Sequence, residues 1–187
     1  AWSPDGKTIA WLSDASGEYE IWLRAQDGSG EPRRLTNDGS VWRYPPVWSP
    51  DSRKLAYADK DVRLRVVDVA SGSSTEVDRG SVEDITEYTW SPDSRWLAYA
   101  KTNATRMQSI WAWSAASGKA TQLTSDQANE FSPAFDPKGR YLYFLSNRDY
   151  SGLTFSAYEF NYFYANATRI YAATLSADGP ALNRPKS

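Results

Sequence analysis

Apolar residues along this chain come in short runs, not in stretches of helical period. Ile9-Ala10-Trp11-Leu12, Leu55-Ala56-Tyr57-Ala58, Leu97-Ala98-Tyr99-Ala100 and Leu142-Tyr143-Phe144-Leu145 each follow a cluster of turn-forming residues. Behind each lies a second run: Ile21-Trp22-Leu23, Leu64-Arg65-Val66-Val67, Ile110-Trp111-Ala112-Trp113 and Ile170-Tyr171-Ala172-Ala173. Runs this short, rich in aromatic and β-branched side chains and bounded by Gly, Pro, Asp and Ser, predict strands. Their near-continuous apolar character predicts strands buried on both faces. Shorter outer-strand candidates follow at Arg34-Leu35-Thr36, Thr75-Glu76-Val77 and Gln122-Leu123-Thr124.

The punctuation repeats with the runs. Trp2-Ser3-Pro4-Asp5-Gly6-Lys7 recurs as Trp48-Ser49-Pro50-Asp51-Ser52-Arg53, as Trp90-Ser91-Pro92-Asp93-Ser94-Arg95, and more loosely as Phe135-Asp136-Pro137-Lys138-Gly139-Arg140, with leading aromatics 46, 42 and 45 residues apart. Pro suits the first corner of a type I turn and Gly the left-handed position after it, so each copy predicts a tight hairpin. Ser52 and Ser94 stand where the other copies have Gly, at an expected cost of ~1 kcal/mol each. A second hairpin signal follows at Asp27-Gly28, Ser71-Gly72, Ser117-Gly118 and Asp178-Gly179.

A strand-rich repeat of this period is the pattern of propeller blades, each with an inner strand, two middle strands and an outer strand. The predicted class is all-β, a propeller of four-stranded antiparallel blades. The predicted blades fall at about 1–40, about 41–82, about 83–128 and about 129–187, the last with an insertion at about 149–168. The first inner strand and the last outer strand are not evident, so the expectation is a piece of a larger ring of about six or seven blades. Half-built end blades predict open strand edges and self-association.

Composition narrows the chemistry. The chain has no His and no Cys, which excludes from it a Ser-His-Asp triad, a Cys-His pair, a His-ligated zinc site and any disulfide. Lys plus Arg number 21 against 23 Asp plus Glu, and no basic run exceeds Arg33-Arg34, so the footprint of a nucleic-acid partner is missing. No apolar stretch approaches the ~18 residues of a membrane span. There is no Gly-x-Ser-x-Gly elbow, and Gly28-Ser29-Gly30 leads to Arg33 where a dinucleotide fingerprint needs a small residue. No cofactor or metal is expected.

The repeat resembles that of tricorn-type proteases, of the periplasmic Tol-system propeller protein and of the propellers of prolyl-oligopeptidase relatives. Phe135 to Asp149, then Glu159-Phe160, Ala167-Thr168-Arg169-Ile170-Tyr171 and Leu175-Ser176-Ala177-Asp178, look like the second propeller of tricorn-type serine peptidases. That resemblance implies a bacterial or archaeal protein, cytoplasmic or periplasmic. It implies further blades, a PDZ-like domain and domains with the catalytic serine, histidine and glutamate, none of which can be carried onto these residues. It also implies an accessory role, as scaffold and as a filter or passage for peptides, with the remaining blades and peptidase domains as partners. The alternative is a stand-alone interaction propeller of the Tol-system type; a carboxylate glycosidase is a third reading.

Several residues stand out within the repeat. Between positions 150 and 164 the insertion carries Tyr150, Phe155, Tyr158, Phe160, Tyr162, Phe163 and Tyr164, an aromatic density that must cover the propeller, dock on a neighbour or contact peptides. Trp2, Trp48 and Trp90 recur at one repeat position and are expected to pack between blades, whereas Trp42 breaks the pattern and is the candidate ligand-facing tryptophan. Glu83, Asp84 and Glu87, and likewise Asp14, Glu18 and Glu20, read as solvated loop acids. Arg63 and Arg65 read as a solvated strand face.

Overall fold

The computed structural model describes residues 1–148, 168–177 and 179, and the backbone of 153–155 and 162–164. Among these residues there are only strands and no helix, hence none long and apolar enough to cross a membrane. Strands β1 (Thr8–Ser13), β2 (Glu20–Ala25) and β3 (Arg33–Arg34) form the first antiparallel sheet, and a bridge from Trp2 to Ile9 adds the stub of an inner strand. The second sheet runs β4 (Val47–Trp48), β5 (Lys54–Ala58), β6 (Arg63–Asp68), β7 (Ser74–Arg79), and the third β8 (Tyr88–Trp90), β9 (Trp96–Thr102), β10 (Gln108–Ser114), β11 (Ala120–Gln122). In the fourth, β12 (Glu130–Phe135) pairs with β13 (Tyr141–Ser146), and β13 with β16 (Arg169–Thr174). Between β13 and β16 the chain forms a separate hairpin of β14 (Leu153–Phe155) and β15 (Tyr162–Tyr164). Four antiparallel sheets in sequence make a partial propeller, as the repeat predicts.

The Leu-Ala-Tyr-Ala run explains how one strand serves two interfaces. Successive side chains of a strand point to opposite faces. Leu55 and Tyr57 therefore pack against Ala10, Ile21, Leu23 and Leu35 of the first sheet, while Ala56 and Ala58 face Leu97 and Tyr99 of the third. Ala98 and Ala100 in turn face Leu142 and Phe144 of the fourth. Large side chains of each sheet thus meet alanines of the one before it, the interdigitation that fills a core at native density. Burying each Leu or aromatic side chain contributes roughly 1.5–3 kcal/mol. Trp48 and Trp90 are buried between sheets as expected, whereas Trp2, which has no preceding sheet among the described residues, is 61% exposed.

The Ser-Pro-Asp turns are built alike. Ser49 Oγ donates to Asp51 Oδ1 at 2.6 Å, Asp51 Oδ1 accepts the Arg53 N–H, and Ser49 Oγ accepts the Lys54 N–H; Ser3 with Asp5 and Ser91 with Asp93 repeat the pattern. Ser52 and Ser94 are left-handed, both at φ 60°, as Gly6 and Gly139 are at 71° and 66°. They also do something glycine cannot. The Asp5 N–H donates to Ser52 Oγ at 3.1 Å and the Asp51 N–H to Ser94 Oγ at 2.9 Å, so each serine ties its turn to the preceding blade's turn.

These turns make the fold acid-sensitive. The carboxyls of Asp5, Asp51, Asp93 and Asp136 are all held below their ordinary value of 3.8. In Asp5 and Asp93 the main cause is the hydrogen bond from Ser3 or Ser91. In Asp51 burial would raise the value but is outweighed by Ser49 and Arg53, and in Asp136 it is outweighed by Arg140. A carboxyl depressed in the folded state stabilises above its unfolded value, and that contribution is lost as pH falls through the folded one. The denaturation midpoint is expected to hold while the pH stays above the ordinary carboxyl value of 3.8 and to drop steadily as the pH falls below it. A midpoint that stayed flat below that value would show that the turn carboxylates contribute nothing.

Candidate functional site

Two sets of connections leave opposite ends of the sheets. The Ser-Pro-Asp turns and the second hairpins occupy one end, while the outer-to-inner crossings and the β5–β6 and β9–β10 connections occupy the other. Trp42 lies on the crossing from β3 to β4. The insertion leaves from the Ser146–Arg169 end of its strand pair, the counterpart of the Thr102–Gln108 and Ala58–Leu64 ends. Both sequence candidates therefore emerge from one end of the partial ring, two sheets apart.

Residues 42–44 run extended beside β5. Arg43 bridges Asp59, the Tyr44 N–H donates to the Ala58 carbonyl, and the Lys60 N–H donates to the Trp42 carbonyl. Alternation sends Arg43 inward and the two aromatics the other way. Trp42 is 43% exposed and meets the Tyr44 ring edge-on, with centroids 4.7 Å apart and planes at 84°. Tyr44 donates to Asp84 Oδ2 at 2.8 Å, and Lys60 Nζ lies 2.7 Å from that same oxygen and 2.8 Å from the Tyr44 hydroxyl. The hydrogen bond from Lys60 is the main cause holding the Asp84 carboxyl below its ordinary value, and the bond to Asp84 raises the Lys60 ammonium above its own. Both shifts favour the charged forms and so the ion pair. The group sets a fixed ion pair beside the exposed Trp42 indole and the half-buried Tyr44 ring.

Beneath it lies a buried ionic network that the sequence did not signal. Arg43 Nη1 is 3.0 Å from Glu20 Oε2 and donates to Thr36 Oγ1 at 2.7 Å; its Nη2 is 2.8 Å from Asp38 Oδ1, and Arg65 Nη1 is 2.7 Å from Asp38 Oδ2. The guanidinium carbon sits 5.1 Å from the Tyr57 ring centroid, a cation–π geometry. Glu20 also accepts from Thr36 at 2.5 Å and from the Gly39 N–H at 2.7 Å. Thus Glu20 is a buried residue, correcting the reading of it as a solvated acid. Arg65 and Arg63 are corrected too: their side chains are 16% and 18% exposed and paired, Arg63 with Asp59 at 2.8 Å and Asp61 at 3.1 Å.

The acids before β8 are joined to their surroundings as well. Glu83 accepts from Thr102 at 3.0 Å and Glu87 from the Ser132 N–H at 2.5 Å, so with Asp84 they tie loops together across sheets. Among the described residues, no group of three or more acidic, His or Cys side chains could hold a metal ion. Of the insertion's aromatics, Tyr150, Tyr158 and Phe160 lie outside the described residues. Phe155, Tyr162, Phe163 and Tyr164 fall on the hairpin, whose backbone register sets Phe155 opposite Tyr162, Thr154 opposite Phe163 and Leu153 opposite Tyr164.

The model of the tricorn protease second β-propeller domain matches residues 1–187. The chain belongs to this family. It is 31% identical over 168 residues to the tricorn protease of Thermoplasma volcanium, a match covering 85% of the chain and 16% of that protein. It is also 31% identical over 149 residues to the uncharacterized peptidase YuxL of Bacillus subtilis, covering 78% of the chain and 21% of that protein. A crystal structure of the tricorn protease superposes on 94% of the chain and 18% of its own with a TM-score of 0.83; at 20% identity this shows the shared fold. The chain thus spans about a fifth or less of the length of these relatives. Membership in the tricorn second-propeller family accounts for the strand repeat and for the four sheets being part of a ring.

Proposed function

We propose that this chain is a non-catalytic wall of a tricorn-type peptidase, acting as scaffold and as a passage or filter for peptides on their way to or from a proteolytic centre. The family match over residues 1–187 carries the reading. It is supported by the lack of His and Cys, which leaves the chain without the usual hydrolytic groups. The exposed Trp42, with Tyr44 and the Lys60–Asp84 pair beside it, is the peptide contact proposed here, with the aromatic insertion at the same end as a second contact to peptides or to a neighbouring peptidase domain. An aromatic next to a fixed ion pair grips a polypeptide by its apolar side chains while leaving its sequence largely free.

Trp42→Ala in the intact protein tests this. A long unstructured peptide should show a rise in KM of about fivefold, near 1 kcal/mol, with kcat unchanged. A short chromogenic peptide that reaches the centre without touching the wall should be hydrolysed as before. Equal effects on both substrates, or none on either, would overturn the passage role.

A further inference from the structure

The third and fourth sheets meet differently from the other pairs. Between the first and second sheets, Trp48 Nε1–H donates to the Ala1 carbonyl at 3.2 Å and the Asp5 N–H donates to Ser52 Oγ. Between the second and third, Trp90 Nε1–H donates to the Val47 carbonyl at 3.3 Å and the Asp51 N–H to Ser94 Oγ. Each seam so carries two latches at the turn end. At the next seam the repeat supplies Phe135 for the tryptophan and Gly139 for the serine, and neither has the atom that the latch needs. Among the described residues no hydrogen bond joins the 91–95 turn to the 136–140 turn.

The space left between those turns is a cleft of about 800 Å³, lined by Pro92 and Trp96 on one side, Pro137 and Gly139 on the other, with Ala112 and Leu142. Trp96 remains 42% exposed there. Facing walls without atoms between them forfeit the dispersion contacts that a closed seam would have. The other end of the same seam is tied. Glu87 accepts the Ser132 N–H, and Asn129 Oδ1 accepts the Gln108 N–H at 3.0 Å, each link crossing from third sheet to fourth. Between the two ends the apolar contact of Ala98, Ala100 and Ile110 with Leu142 and Phe144 is not directional and tolerates small rotations.

We infer that this seam is the compliant joint of the propeller wall, pivoting on the Glu87–Ser132 and Asn129–Gln108 links and opening sideways along the unlatched turn end. Its partners on either side of the second sheet are locked by the same repeat that fails here. Nothing in the backbone forbids the missing latch. Gly139 has φ +66°, close to the 60° of Ser52 and Ser94, and a Cβ added there meets no atom within 4 Å.

The test uses nitroxide pairs on the intact protein, since this chain contributes no cysteine of its own. Arg95→Cys with Lys138→Cys spans the unlatched seam, and Arg53→Cys with Arg95→Cys spans its latched neighbour. The first pair should give the broader distance distribution. Phe135→Trp with Gly139→Ser, which rebuilds both latches, should narrow it to the width of the second pair and reduce the open population roughly tenfold. The converse, Trp90→Phe with Ser94→Gly, should broaden the Arg53–Arg95 distribution and decides the matter if the first variant does not fold. Equal widths at the two seams in the parent protein would overturn the inference. So would a width that either pair of substitutions leaves unchanged while the melting curve stays cooperative.

Discussion

Replacing Arg43 with methionine is expected to lower the unfolding free energy by about 3–5 kcal/mol, the loss typical of breaking a buried ion pair. Methionine fills much the same volume and can lie on the Tyr57 ring, so packing alone would be a minor loss. The cost lies in what stays behind. Glu20, with a side chain 4% exposed, keeps the Thr36 hydroxyl and the Gly39 amide but loses its countercharge, and Asp38 keeps only Arg65. A buried ion whose partner is removed is penalised far more than the intact pair contributes. Adding Glu20→Gln to the methionine variant should therefore recover a large part of the loss. Urea midpoints of the four members of this cycle make the measurement. A single-variant loss under about 1 kcal/mol, in the range of an exposed pair, would mean that solvent reaches the network.

That network also marks where the sequence stops being legible. Short apolar runs and the recurring turn predicted strands, blades and a partial ring, because both signals are local and repeat. Alternation says that Tyr57 and Ala58 take opposite faces. It does not say which face meets which neighbour, a matter settled by the large-against-small fit of Tyr99 on Ala56 and Ala58. Glu20 and Arg65 read as solvated because their partners, Arg43 and Asp38, arrive from a loop with no periodicity of its own. One signal was present and easy to miss: Ser52 and Ser94 occupy a glycine position in the second and third copies only. A serine at a left-handed corner in consecutive repeats points to a bond that outweighs the strain, and the bond is the latch to the preceding turn.

The candidate peptide contact was legible to a similar degree. Trp42 could be singled out because it falls off the tryptophan period, and its exposure agrees with that. That Lys60 and Asp84 join it could not be found from sequence, since they come from two other loops, whereas Tyr44 lies two residues away on the same segment. The two ends of the partial propeller differ accordingly. Turns held by the Ser-Asp geometry set blade spacing at one end, which leaves the crossings at the other end free to vary in length and to carry exposed aromatics.

Truncating Tyr99 to alanine is expected to destabilise the fold by about 3–5 kcal/mol, and Tyr99→Phe by about 1–3 kcal/mol. The ring is fully buried in the cluster that joins the second and third sheets, against Ala56, Ala58, Leu64 and Val66. Removing it opens a cavity between two sheets that are latched at their turns and cannot collapse to fill it, which places the loss toward the upper end. The hydroxyl has a separate role. It donates to Asp78 Oδ2 at 2.7 Å, reaching from the third sheet to the outer strand of the second, and Lys101 Nζ meets Asp78 Oδ1 at the same distance while lying 5.0 Å from the Trp111 ring centroid. Burial, then the Asp78 carboxylate, pushes the phenol well above its ordinary value, which keeps it a donor to that carboxylate. Phenylalanine keeps the ring and leaves Asp78 with Lys101 and the Arg79 N–H, which sets the smaller loss. Chemical denaturation of both variants separates the two contributions. Equal losses would put the whole effect on the hydroxyl, and a loss in Tyr99→Ala below about 2 kcal/mol would show that the inter-sheet core repacks around the gap.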